Sequence, residues 1–94
     1  MGEKEFLYIL TDNQQRYKIG WSKDPQARLK QLQTGNPNKL KIEHLIECTI
    51  YPAVFLERRI LSWFSKRKLQ GEWRFLDREQ LEWLKSSKSD RSFW

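Results

Sequence analysis

The run EFLYIL, from Glu5 to Leu10, has no polar residue after its first position. A strand sends alternate side chains to opposite faces, so an unbroken apolar run needs cover on both sides of the sheet it joins. A chain of 94 residues holds material for one core only. The remaining segments must therefore be arranged around this strand, with helices as the cover.

The pattern that follows fits that demand. TDNQQ is turn chemistry, and RYKIGW then alternates, with Tyr17, Ile19 and Trp21 on one face and Arg16, Lys18 and Gly20 on the other, which predicts a hairpin. Asp24 as N-cap, Pro25 at the first helical position, Leu29 and Leu32 at helical spacing and Gly35 beyond the end define a short helix. After the loop TGNPN, the stretch from Leu40 to Ile50 reads as a third strand with Leu40, Ile42, His44, Ile46 and Cys48 on one parity. From Pro52 the period becomes helical, with Ala53, Leu56, Ile60, Trp63 and Phe64 as the apolar stripe. A last helix starts at Asp77, where Gln80 completes a capping box and Leu76 can staple to Leu81. Residues 86–94 read as a polar, frayed tail whose Phe93 and Trp94 could fold back. The expectation is one α+β domain over 1–94, with its core at 5–85 and a three-stranded, mainly antiparallel sheet flanked by helices.

Cys48 is the lone cysteine, which excludes an intramolecular disulfide and points to a reducing compartment. No apolar run approaches the roughly 18 residues of a membrane span, and the start MGEKEF lacks signal-peptide features. A soluble, cytoplasmic protein without a membrane or organic-cofactor partner is expected. Its oligomeric state is left open. The net charge of +6 favours a polyanionic partner. Arg58, Arg59, Lys66, Arg67, Lys68 and Arg74 concentrate that charge among Trp63, Phe64, Trp73 and Phe75. This segment is either a solvated face over core aromatics or a surface that tracks phosphates.

Two residues stand out. Glu57 has Ala53, Val54, Ile60 and Leu61 as its helix neighbours, so its carboxylate either sits at the edge of the apolar patch, pairs with an arginine, or serves as a metal ligand or general base. Arg28 lies in the first turn of its helix, where the macrodipole favours anions and free amides could join it in meeting a phosphate. His44 reads as a hydrogen-bonded core histidine and Cys48 as a small buried hydrophobe, since neither has a second ligand at metal spacing. No phosphate-binding glycine loop is present.

LYI at Leu7 to Ile9, KIG at Lys18 to Gly20, Arg28 eight residues later, Glu57 on the following helix and GEW at Gly71 to Trp73 occur in that order. Together they resemble the GIY-YIG nuclease superfamily over residues 5–77, and within it the compact phage-type branch in which YKIG places lysine at the second tyrosine. The resemblance implies a magnesium- or manganese-dependent DNA endonuclease using a single metal ion. It makes Tyr8 the tyrosine that positions or deprotonates water, Lys18 the second motif's residue, Arg28 the stabiliser of phosphate charge and Glu57 the metal ligand. Three departures accompany it: Phe6 stands where the first motif has glycine, Leu61 where many relatives have histidine, and Trp21 where a small or hydroxyl residue is usual. Trp21 reads as core, with stacking on a base as the alternative. A catalytically inactive nucleic-acid-binding module and a protein-interaction domain are the other functions compatible with the chain.

Overall fold

A computed structural model describes residues 4–67, 69 and 71–94. Strand β1 (Glu5–Thr11) lies inside the sheet, and Leu7 through Leu10 are all buried. It pairs antiparallel on one side with β2 (Arg16–Ser22) and on the other with β3 (Lys41–Cys48). A fourth strand, β4 (Trp73–Phe75), pairs antiparallel with the far side of β2, so the order is β3-β1-β2-β4. The expected three-stranded sheet is thus corrected to four. A three-residue strand is too short to display alternation. It forms because Gly71, at φ +56°, turns the chain back towards β2.

Helix α1 (Pro25–Thr34) has the expected caps, with the Asp24 carboxylate accepting from the Ala27 amide at 3.1 Å. Helix α2 (Ala53–Trp63) places Leu56 and Ile60 in a core with Leu7, Ile9, Ile19 and Ile46, and helix α3 (Arg78–Lys85) adds Leu84. The capping box of Asp77 and Gln80 is present. Among the described residues no helix is long and apolar enough to cross a membrane.

Two local expectations are overturned in β3 and α2. The register of β1 and β3 slips between Ile9 and Leu10: Ile9 pairs with His44 but Leu10 with Ile42. The bulge leaves Glu43 unpaired and takes Ile42 off the parity of His44 and Ile46. Trp63 is 44% exposed rather than part of the buried stripe. It lies at the helix end, where the Trp83 ring makes an edge contact at 5.4 Å and the Phe93 ring lies tilted to it at 6.3 Å.

The tail is ordered as well. Ser89 bridges Glu47 in parallel, a 3₁₀ turn spans Asp90–Phe93, and Phe93 enters the core. The fully buried Asp90 carboxylate accepts from the amides of Thr49, Ile50 and Tyr51, the Thr49 hydroxyl and the Trp94 indole. Helix α2 has Pro52 at its N-cap and no side-chain cap of its own. Glu5 takes that role from β1 by accepting from the Ala53 amide at 2.8 Å. Two remote carboxylates thus fix the start of the helix that carries Glu57. His44 is half-buried with Nε2 2.6 Å from the Ser87 carbonyl, a structural histidine. Burial, then the Asp90 carboxylate, pushes the Cys48 thiol up to about 11, so it stays protonated and inert.

Candidate active site

Tyr8 stands opposite Gly20 in the register of β1 and β2. A Cβ at position 20 would collide with the Tyr8 ring and hydroxyl, so the glycine of KIG is what makes room for the tyrosine of LYI. Tyr8 is only 2% exposed. The Arg28 side chain lies close enough to the Tyr8 hydroxyl to act on the phenol's ionisation. Arg28 itself is exposed on the first turn of α1 and donates from Nη1 to Gln31 Oε1 at 3.1 Å. Burial raises the phenol above its usual pKa, Arg28 pulls it back in part, and Glu72 and Glu57 add to the rise. At neutral pH Tyr8 is therefore a neutral hydrogen-bonding group, suited to orienting a water molecule rather than deprotonating it.

Lys18, two residues before Gly20, pairs across the sheet with Trp73 and lies 5.9 Å from that ring's centroid. Its Nζ meets Glu72 Oε1 at 3.2 Å, and the Lys18 side chain is largely covered. Glu72 is anchored to β2 because its carbonyl accepts from the Ile19 amide at 3.2 Å. Glu57 is half-buried on α2 and has no hydrogen bond or ion pair among the described residues. Burial raises its pKa, and the neighbouring Glu72 raises it further, while Lys18 and Arg58 act in the opposite direction. Tyr8 is thereby brought within electrostatic reach of Arg28, Glu72 and Glu57, and Glu57 within reach of Glu72 and Lys18.

In the sequence Glu72 is only the middle letter of GEW. The sequence offers only a turn signal at Gly71, since the strand that follows is too short to display alternation. Once β4 pairs with β2, Glu72 is carried to Lys18. No group of three or more His, Cys, Asp or Glu side chains is gathered among the described residues, so the donors here are two carboxylates.

The basic segment is not one surface. Arg74 is 5% exposed and donates to the carbonyls of Gly71 at 2.7 Å, Trp73 at 3.0 Å and Leu61 at 3.3 Å. It is a bracket between β4 and the last turn of α2, where free carbonyls favour a cation, and is withdrawn from the phosphate-facing set. Arg59 lies 4.6 Å over the Trp94 ring, and Arg67 pairs with Asp77 at 3.4 Å. Arg58 and Lys66 are exposed. Lys68 falls outside the described residues.

Comparison with family models matches residues 5–90 to the T5orf172 domain. That span contains each of the site residues described above. No curated protein and no solved structure matches the chain.

Proposed function

The chain belongs to the T5orf172 domain family, and from that premise we propose that it is a divalent-metal-dependent DNA endonuclease of the GIY-YIG type. The observation that carries the reading is Glu57. Half-burying a carboxylate with no hydrogen bond among the described residues is costly, and a second carboxylate beside it increases the cost. A hard cation removes both penalties and is served by carboxylate oxygens.

Glu57, with Glu72 nearby, would hold magnesium or manganese, which supplies Lewis-acid stabilisation of charge on the scissile phosphate. The remaining chemistry belongs to the chain. Arg28 offers guanidinium N–H groups to a phosphate oxygen; the first turn of α1 adds little to this, because Pro25 has no N–H and the amides of Ala27 and Arg28 donate to the Asp24 carboxylate and carbonyl. Tyr8, fixed by Gly20 and Arg28, orients the attacking water opposite the leaving oxygen. Lys18 adds positive charge where negative charge develops, and its bond to Glu72 holds it in place.

Supercoiled plasmid incubated with magnesium tests the reading. Nicking by the wild type and a loss of about a hundredfold or more in Arg28→Ala are expected. A second reading, an inactive DNA-binding module, is favoured by Leu61: where many relatives carry a histidine, this side chain packs against the core and supplies no acid or base. That reading takes over if the wild type binds DNA in a salt-dependent way and never nicks it.

A further inference from the structure

Trp21 shares strand parity with Tyr17 and Ile19, which are buried, yet it is 36% exposed at the end of β2. The core is closed without it. Its ring instead lines a groove of about 420 Å³ that continues through Ser22, Asp24 and Ala27 to Arg28 and Gln31. The wall is prearranged: the Asp24 amide donates to Ser22 Oγ at 2.9 Å, and the Ala27 amide to Asp24 Oδ1 at 3.1 Å. Because Gln31 Oε1 accepts from Arg28, the Gln31 carboxamide nitrogen remains a donor. The groove therefore joins an aromatic platform, Trp21, to Arg28, whose side chain acts on the Tyr8 phenol, with the Gln31 donor beside it.

We infer that this groove seats one unpaired nucleobase of the bound strand, stacked on Trp21, next to the phosphate that meets Arg28. An exposed ring beside a cation is how proteins hold single strands, because every base has a face to stack while its backbone follows positive charge. A base inside continuous duplex is already stacked on both sides and has no free face. The substrate class is thus DNA with unpaired nucleotides at the site, such as a single strand, flap or fork. The placement beside the reacting phosphate rests on the nuclease reading, whereas the stacking itself does not.

The test separates the two. Fluorescence anisotropy, at fixed salt and without divalent metal, measures binding of a labelled single-stranded oligonucleotide and of its duplex to wild type, Trp21→Phe and Trp21→Ala. Single-strand affinity should fall about tenfold in Trp21→Ala, the loss of one base-aromatic stack. Trp21→Phe should retain most of it, and duplex affinity should not change. If Trp21→Ala does not fold, Trp21→Leu replaces it with the same expected loss. Plasmid nicking with magnesium is measured in parallel. A selective loss of single-strand affinity in proteins that never nick upholds the base site and removes the nuclease reading. Nicking by a wild type whose single-strand affinity is indifferent to Trp21 overturns the base site alone. Equal losses on single strand and duplex, or no single-strand binding by the wild type, also overturn it.

Discussion

Asp90, in the carboxy-terminal turn, is fully buried and accepts hydrogen bonds from three backbone amides, a hydroxyl and an indole. Glu57, on the helix that those amides lead into, is half-buried and accepts none among the described residues. Burial by itself would raise both pKa values. At Asp90 the hydrogen bonds from Thr49, Ile50, Trp94 and Tyr51 outweigh it and hold the carboxyl below its ordinary range. At Glu57 burial prevails and Glu72 adds to it. The same functional group is thus a latch in one region and an unmet demand in the other. Since the Asp90 latch and the Glu5 cap fix where α2 begins, satisfied carboxylates position the unsatisfied one. A site kept on a rigid support while its own polar groups await a ligand follows the same division.

The largest expected effect tests whether Glu57 waits for a cation. Glu57→Gln should reduce magnesium-dependent plasmid cleavage at least about a thousandfold, or roughly 4 kcal/mol of barrier. Melting of the metal-free protein should be unchanged or slightly higher in temperature, because the variant no longer holds an uncompensated charge. Loss of folding would instead make Glu57 a structural partner, and the contrast with Asp90 would collapse.

Asp90→Asn reverses that outcome. The new NH₂ group would face donors that now point at carboxylate oxygens, leaving buried amides without an acceptor. A loss of about 2–4 kcal/mol is expected, read as a fall of roughly 10 °C or more in Tm by circular dichroism. Any cleavage activity should survive at temperatures where the variant remains folded. An unaltered melting temperature would mean that the tail is not a latch.

What could be read from the sequence divides along the same line. LYI, KIG, Arg28 and Glu57 stand out in the sequence by residue identity and spacing alone. The reason for Gly20 was not visible, since it is a cross-strand contact with Tyr8. Arg74 looked like surface charge because charge is what a sequence displays, whereas the three carbonyls that hold it come together only when β4 docks. Glu72 likewise meets Lys18 only through the pairing of β4 with β2. Trp21 reads as core in the sequence, with base stacking as the alternative; its strand parity gives a face and not the distance to the sheet's end. The tail looked frayed because SSKSDRS has no apolar period. Its order comes from a single carboxylate meeting loop amides some forty residues earlier in the chain. Local periodicity thus conveys the elements, while nonlocal hydrogen bonds decide which polar residues are structural.

The smallest expected effect is a pair of opposed slopes with pH, small at Glu57 because water screens a half-exposed carboxylate. Asp90 has a folded pKa below its unfolded value near 3.8. Its stabilisation is complete above that value and is lost as pH falls through the folded pKa. Glu57 has a folded pKa above its unfolded value near 4.5. Between those two values the folded state binds more protons than the unfolded state, so this group makes the protein more stable as pH falls. Urea denaturation in a chelator, from about pH 3 to 7, would display both as differences from wild type, in which other titrations largely cancel. The stability gap of Asp90→Asn should be full at neutral pH and should narrow in acid below the unfolded value. Glu57→Gln should differ least near its unfolded value and gain on the wild type as pH rises through the folded one. A Glu57→Gln protein that instead loses ground towards neutral pH would have lost a satisfied carboxylate, and Glu57 would belong with Asp90.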